Sequence, residues 1–284
     1  MQIKLSNKDQ GIFVFQLDQN NYIKFCPQRG GVITNWISDG KDILYFDEKR
    51  FIDNTKSIRG GIPILFPICG NLNTSSSVFG KNFLQLTQHG FARDLQWQYS
   101  LNENEESLIL TLNESKKTKK YYPFDFELKI EVFLQINCLE FEITIFNKSD
   151  NAMPINFGLH PYFNISDFKN LEFIDNPLNC HNQEKNIISN TLDELKNVNL
   201  GVDLLMHSSG RSSFQDKILK REVTLNHRYP FDLCVVWSDP PRRMICLEPW
   251  TSPRNSFVDG SRNIIIPSND SKRLHASIQI KSLK

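Results

Sequence analysis

Alanine is scarce in this 284-residue sequence, which contains only Ala92, Ala152 and Ala276. Aromatic residues are plentiful by contrast, with 21 phenylalanines, 7 tyrosines and 4 tryptophans. Alanine is the strongest helix former, whereas aromatic and β-branched side chains fit the pleated surface of a sheet. The composition therefore disfavours a helical bundle and predicts a protein built mainly of β-sheets.

An excess of charge of either sign is also absent. The sequence has 33 lysines and arginines against 32 aspartates and glutamates, for a formal net charge of +1. Surfaces that bind nucleic acids gain affinity from a clear excess of basic residues. We therefore expect no nucleic-acid partner.

Closely spaced cysteines are missing as well. The six cysteines are scattered and form no C-x-x-C motif, so the spacing typical of zinc sites is absent. The first residues, MQIKLSNKDQGIFVF, lack the apolar core and the small-residue cleavage site of a secretory signal. Together these features predict free thiols, no bound metal and a cytoplasmic location.

The longest uncharged stretch runs from Gly60 to Gly80 and is long enough to span a bilayer. It contains Pro63, Pro67 and several asparagines and serines. Prolines interrupt helical hydrogen bonding, and the polar side chains do not suit lipid. We therefore expect no membrane-spanning helix and no membrane partner.

Apolar and polar residues alternate along much of the chain. In FELKIEVFLQ, Phe126, Leu128 and Ile130 are predicted to face the core, and after a one-residue step Phe133 joins them. Strands with one buried face and one wet face are typical of antiparallel sheets. No linker or change in composition divides the chain, so residues 1–284 are predicted to form one all-β domain of two packed sheets.

One helix is predicted in this pattern of strands, around Asn190 to Leu200 in the sequence NTLDELKNVNL. Thr191 would cap its first turn, and Glu194 follows three residues later, as in a capping box. The helix would be short and peripheral to the sheets.

Four segments interrupt the strand pattern and concentrate residues suited to binding or catalysis. Arg59 precedes Gly60, Gly61 and a proline-containing loop, which would present its planar guanidinium rigidly to hydroxyls or phosphate. His89 is followed by a glycine and lies near Arg93, so it is expected at the end of a strand beside a cavity.

The other two segments contain a histidine and a glutamate. Pro161 restricts His160 to an extended conformation, which would hold the imidazole among aromatic neighbours, where its protonation is tunable near neutral pH. Glu248 ends an apolar run before Pro249 and Trp250, a costly place for a carboxylate that is neither paired nor used. Each segment also has a structural explanation: an exposed arginine in a turn, a core histidine, or a strand-end glutamate in solvent.

In order, the motifs RGG, HGFAR, HPYF and EPW resemble the aldose 1-epimerase (mutarotase) family. RGGIP and QHGFARD especially resemble its hexose-6-phosphate mutarotase-like branch. The resemblance implies a galactose mutarotase-like supersandwich of two large antiparallel sheets. It also implies an isomerase that interconverts the α and β anomers of a hexopyranose by acid–base ring opening, with no cofactor or metal. We expect this protein to be a monomer. The partner would be a small sugar or sugar phosphate, and the motifs leave open whether the sugar carries a 6-phosphate.

The resemblance also implies roles for individual residues. His160 would be the general acid on the ring oxygen, Glu248 the general base on the anomeric hydroxyl, and His89 a hydrogen-bonding partner of the sugar. Further matches to substrate-binding positions are Arg59, Gln88, Arg93 and, in GVDLL, Asp203.

Two other functions are compatible with the sequence. A non-catalytic carbohydrate-binding or regulatory protein on the same fold would use the aromatics and arginines without turnover, but it needs no acid–base pair. The second alternative is a glycoside hydrolase or lyase, since large sandwich folds also host these enzymes. A glycoside hydrolase usually needs two carboxylates, for which Glu248 and Asp203 are the candidates. Phe66, Tyr162 and Trp250 adjoin the motifs, and each is a candidate to pack against the C–H faces of a sugar.

Overall fold

The computed structural model describes residues 1–7, 10–72 and 86–284, and strands predominate in these ranges. This observation confirms the predicted all-β class. Residues 73–80 of the long uncharged stretch lie outside the described ranges. No helix in the described part of the chain is long and apolar enough to cross a membrane.

The strands are numbered in chain order. They are β1 Gln2–Asn7, β2 Ile12–Asp18, β3 Asn21–Cys26, β4 Val32–Ser38, β5 Lys41–Asp42, β6 Ile64–Leu65, β7 Gln98–Asn102, β8 Ser107–Asn113, β9 Phe126–Gln135, β10 Cys138–Asn147, β11 Met153–Ile155, β12 Gly158–Leu159, β13 Tyr162–Asn164, β14 Leu171–Ile174, β15 Asn179–Asn182, β16 Ile187–Asn190, β17 Val202–His207, β18 Arg211–Asp216, β19 Arg221–His227, β20 Leu233–Ser238, β21 Met244–Trp250, β22 Ile264–Ile266 and β23 Ser271–Ser282. The described residues also form the short helices α1 Glu48–Ile52, α2 Thr191–Leu195 and α3 Ser256–Asp259, and the 3-10 turns Ala92–Asp94, Thr118–Lys120 and Phe168–Asn170.

Two eight-stranded sheets dominate the fold. The back sheet has the strand order β14-β18-β19-β23-β10-β9-β8-β7. The cavity sheet has the order β16-β15-β17-β20-β21-β12-β6, and β13 also pairs with β21. Neighbouring strands in both sheets are antiparallel, which confirms the two large antiparallel sheets expected from the motifs. Strands β1 to β5 form a smaller sheet, and β11 pairs with β22.

Buried and half-buried residues alternate along β9. Its buried residues are Phe126, Leu128, Ile130, Val132 and Leu134. The predicted step to Phe133 is therefore wrong, because pairing with β10 keeps one register along the whole strand. Without a bulge the period of two continues, and Phe133 lies on the opposite face.

Apolar side chains from both large sheets pack into one core. Leu128 of the back sheet and Ile245 and Leu247 of β21 belong to the same cluster of buried residues. Successive residues of a strand point to opposite faces of its sheet. Glu248 and Trp250, which alternate with these core residues, therefore lie on the face of the cavity sheet that points away from the core.

The predicted helix is shorter than expected and is capped by a different residue. Helix α2 ends at Leu195, and turns continue to Leu200. The side chain of Asn190, not Thr191, accepts a hydrogen bond from the backbone N–H of Asp193 at 3.2 Å. Asparagine is at least as good an N-cap as threonine, and Thr191 is buried inside the first turn.

Asn147 at the end of β10 provides a test of what holds the sheets together. Its buried side-chain amide donates hydrogen bonds to the carbonyl groups of Asn151, Ile266 and Pro267 at 2.8, 2.9 and 2.9 Å. Asn147→Ala leaves these carbonyls without that donor, so we expect the free energy of unfolding in urea to fall by about 2 kcal/mol or more. The exposed side chain of Asn151 is a matched control, and Asn151→Ala should change this energy by less than about 0.5 kcal/mol. Equal effects of the two substitutions would contradict the anchoring role.

Candidate active site

A cavity of about 320 Å³ opens on the outward face of the cavity sheet. Its wall is formed by Arg59, Gln88, His89, Arg93, His160, Tyr162, Glu184, Asp203, Val235, Trp237, Glu248, Trp250 and Arg254. All seven residues that the motifs single out are in this wall. The structure therefore brings together side chains from loops and strands that are far apart in sequence.

Strand register places His160 beside Glu248. Gly158 pairs with Trp250, and Tyr162 pairs with Cys246, so His160 falls opposite Glu248 between these two pairs. The His160 Nε2 atom is 3.4 Å from Glu248 Oε1. The Cys246 thiol also lies nearby, and the ligating atoms of His160, Cys246 and Glu248 are all within 4.8 Å of one another.

Glu248 is almost fully buried, with 1% of its surface exposed. Burial raises the pKa of its carboxyl well above the usual range, and the nearby charge of Asp203 raises this pKa further. The indole N–H of Trp250 donates a hydrogen bond to Oε2 at 3.1 Å. That bond orients the carboxyl group and leaves Oε1 facing His160.

His160 is packed between aromatic rings. Its imidazole stacks on Tyr162 with ring centroids 4.6 Å apart and an interplanar angle of 8°, and it meets the edge of Trp237 at 5.8 Å. Burial lowers the pKa of His160 well below its usual value, and the positive charges of Arg93 and Arg59 lower it further.

The two pKa shifts act in opposite directions on the histidine and the glutamate, and both disfavour charge. A pair that holds one proton is electrically neutral overall, whether the proton is on His160 or on Glu248. Adding a second proton or removing the only one would create a net charge in a desolvated site. The buried pair therefore favours one shared proton, as coupled titrating groups do.

The sequence predicted His89 at the end of a strand, but the structure places it in a turn. Its backbone has a φ of 67°, and its N–H donates to the carbonyl of Gly70 at 2.8 Å. In return, the N–H of Gly70 donates to His89 Nδ1 at 3.0 Å. Because Nδ1 is an acceptor, the neutral ring carries its hydrogen on Nε2 and offers the cavity a donor.

Asp203 is held by two partners inside the cavity. Gln183 donates to its Oδ1 atom at 2.6 Å, and Arg254 forms an ion pair with Oδ2. Burial raises the pKa of Asp203, while the positive charge of Arg254 opposes this shift. Both carboxylate oxygens are therefore occupied, and the charge of Arg254 is compensated.

Arg59 and Arg93 are placed differently from Arg254. The Arg59 guanidinium lies 5.4 Å above the Trp237 ring, and within the described residues it forms no ion pair. Arg93 donates to the backbone carbonyl of Gln88 at 2.6 Å, and its distance to the nearest carboxylate, on Asp94, is 4.0 Å. These two cations are consequently available to an anion in the cavity.

Some wall residues were not predicted, and one candidate was misplaced. Phe66 is fully buried and packs against Phe91 and Phe126 in the core, so it is not a wall residue, unlike Tyr162 and Trp250. Trp237 was missed because its place beside Cys246 depends on the pairing of β20 with β21, which the alternating pattern does not reveal. Nothing marks Glu184 and Arg254 in the sequence except that Arg254 closely follows the EPW motif.

Comparison with known proteins places this architecture in a family. A model of the aldose 1-epimerase family matches residues 14–268. The chain belongs to the aldose 1-epimerase family. This finding confirms the resemblance carried by the four motifs and makes the protein a member of an isomerase family.

Individual relatives of this epimerase-family chain are distant in sequence and similar in structure. An Escherichia coli K12 protein named "Putative glucose-6-phosphate 1-epimerase" is 25% identical over 77% of this chain and 71% of its own length. Protein LacX from Lactococcus lactis is 25% identical over 71% of this chain and 77% of its own length. The solved structure of the Slr1438 protein from Synechocystis sp. PCC 6803 has a TM-score of 0.90 at 32% identity, covering 95% of this chain and 96% of that one. A galactose mutarotase-like protein from Clostridium acetobutylicum shares the fold, with a TM-score of 0.78 at 17% identity over 99% of both chains.

The state of His89 is testable without a ligand. Burial lowers the pKa of His89 well below its usual value, and the neighbouring His160 and Arg93 lower it further. We expect ¹⁵N NMR to show the neutral Nε2–H tautomer of His89 at pH 6. Titration of the His89 ring near the ordinary histidine pKa would contradict the buried acceptor role of Nδ1.

Proposed function

We propose that this protein is an aldose 1-epimerase that interconverts the α and β anomers of a hexopyranose, with His160 as general acid and Glu248 as general base. The observation that carries the proposal is the buried pair of His160 Nε2 and Glu248 Oε1, 3.4 Å apart in the cavity wall. Anomer exchange requires one group that gives a proton and one that takes a proton, and they act on the two oxygens bonded to C1. A pair that shares one proton meets this requirement.

The reaction can be written with its protons balanced. The step starts from the form of the pair that carries its shared proton on His160. Glu248 Oε1 takes the proton of the C1 hydroxyl while His160 Nε2 gives its proton to the ring oxygen, so the C1–ring oxygen bond breaks and an aldehyde forms. Rotation about the C1–C2 bond exposes the other face of the aldehyde. Closure returns both protons to the groups that held them at the start.

The spacing of the pair suits this chemistry. The hydroxyl oxygen and the ring oxygen are bonded to the same carbon, so the acid and the base must act on two adjacent atoms. Adjacent Nε2 and Oε1 atoms can do so from one side of the sugar. His89, a donor through Nε2, would bind a sugar oxygen and stabilise charge that develops during ring opening.

We further propose that the preferred substrate is a hexose 6-phosphate. Among the described residues Arg59 forms no ion pair, and Arg93 has only the 4.0 Å contact with Asp94, so a phosphate dianion in the cavity would find two cations to bind. Planar guanidinium groups bind phosphate oxygens in a bidentate manner, which favours arginine here. The name of the Escherichia coli relative points to the same substrate.

The cavity fits the rival functions less well. A glycoside hydrolase needs a second free carboxylate as nucleophile or base, and both oxygens of Asp203 are held by Gln183 and Arg254. A protein that only binds sugar does not need a desolvated acid–base pair, which costs folding free energy.

Anomer exchange measured by NMR on glucose 6-phosphate, glucose and galactose tests the catalytic proposal. Well-placed proton-transfer groups each contribute about 10² to 10⁴ in rate, so His160→Ala and Glu248→Gln should each reduce kcat by about that factor. His207→Ala removes an exposed histidine outside the cavity and should leave kcat unchanged. A wild-type rate no faster than buffer alone would reject the enzyme.

The phosphate proposal has its own test. Arg93→Ala should raise KM for glucose 6-phosphate by about tenfold or more, since charge-assisted hydrogen bonds contribute about 1.5–3 kcal/mol, and it should change KM for glucose much less. Arg228, which is exposed and outside the cavity wall, supplies the control variant Arg228→Ala. Equal increases in KM for both sugars would show that Arg93 does not bind the phosphate.

A further inference from the structure

Cys246 is fully buried beside the proposed acid–base pair, just beneath the residues that line the cavity. It precedes Glu248 by two residues on β21 and therefore shares its face, and it pairs across the sheet with Tyr162 and Trp237. Among the residues that the structure describes, His160, Cys246 and Glu248 are the one group of three His, Cys, Asp or Glu side chains with ligating atoms this close together.

The distances in this group approach those of a tetrahedral zinc site. Zinc bonds of about 2.0–2.1 Å to imidazole nitrogen and carboxylate oxygen place these two atoms about 3.3 Å apart. The observed separation of His160 Nε2 and Glu248 Oε1 is 3.4 Å. A zinc–sulfur bond of about 2.3 Å requires the thiolate within about 3.6 Å of each partner. The three ligating atoms now lie within 4.8 Å of one another, so a small movement of the side chains would complete the site.

The ligand types favour zinc over the harder divalent ions. Magnesium and calcium are bound by oxygen ligands, whereas a thiolate with an imidazole suits zinc. Three protein ligands leave a fourth position open, and two of the three, His160 and Glu248, line the cavity. From these observations, the geometry points to an inhibitory zinc site formed by His160, Cys246 and Glu248.

Zinc at this position would occupy the two atoms that the proposed reaction uses. Binding forms bonds from the metal to Nε2, Sγ and a carboxylate oxygen, and it releases the thiol proton and the shared proton of the pair to solvent. No electron transfer is involved. The inhibitory effect rests on the proposed function, whereas the binding of the metal does not.

Metal binding is tested on the metal-free full-length protein with Co²⁺ as a spectroscopic probe and with Zn²⁺ by calorimetry. Wild type should bind one ion and show a near-ultraviolet charge-transfer band from thiolate to Co²⁺. This band reports a cysteine ligand directly in the wild-type protein. Cys246→Ala should abolish the band and weaken Zn²⁺ binding by about tenfold or more, since even loss of a residue that only supports a ligand costs about 10–100-fold. The control is Cys234→Ala, because Cys234 is equally buried but packs in the core on the opposite face of the same sheet.

Activity assays complete the test. Zn²⁺ should inhibit anomer exchange by wild type and by Cys234→Ala. At the same Zn²⁺ concentrations, the rate of Cys246→Ala should stay equal to its rate without metal. Absence of the charge-transfer band in wild type, or the same Zn²⁺ affinity in wild type and Cys246→Ala, would overturn the zinc site even if the enzyme is active. A protein that binds zinc through Cys246 but does not exchange anomers would instead overturn the proposed function and leave the metal site standing.

Discussion

The alternation of side chains along β21 is the constraint on which the site depends. Ile245 and Leu247 point into the core between the large sheets, whereas Cys246, Glu248 and Trp250 lie on the opposite face, where Glu248 and Trp250 line the cavity. A shift of pairing by one residue would turn Glu248 into the apolar core and Leu247 into the cavity. The hydrophobic energy of the core therefore enforces the register that holds the carboxyl group opposite His160.

The same arrangement also removes water from around Glu248 and His160. The strand that carries Glu248 is buried on both faces, since aromatic side chains cover the cavity side around His160 and Trp250. Removal of water raises the free energy of any net charge, which accounts for the opposite pKa shifts of His160 and Glu248. The same effect makes the pairing of Asp203 with Arg254 necessary, because either charge alone would be costly there.

The parts of the fold and site that could be predicted from the sequence are those encoded locally. Alternating residues predicted the all-β class, and Pro161 and the apolar run before Glu248 marked positions that do lie in the cavity wall. Trp237 was not predictable in the same way, because its position depends on strand pairing between distant segments. Phe66 adjoins a motif, but its backbone pairs with Gly90 and its ring packs in the core against Phe91 and Phe126. The cap of α2 was misassigned by one residue because Asn190 and Thr191 are both good capping residues.

Gly70 shows how the loops depend on one another across the cavity. Its N–H and carbonyl group both bond to His89, which fixes the imidazole tautomer. Its φ is 70°, and a Cβ atom added to it would lie 2.2 Å from Cγ of Arg254. A side chain at this position would therefore displace the arginine that compensates Asp203, and the strained backbone would withdraw the donor from His89. Two features of the cavity therefore depend on a glycine at position 70: the hydrogen bond to His89 on one side and the pairing of Arg254 with Asp203 on the other.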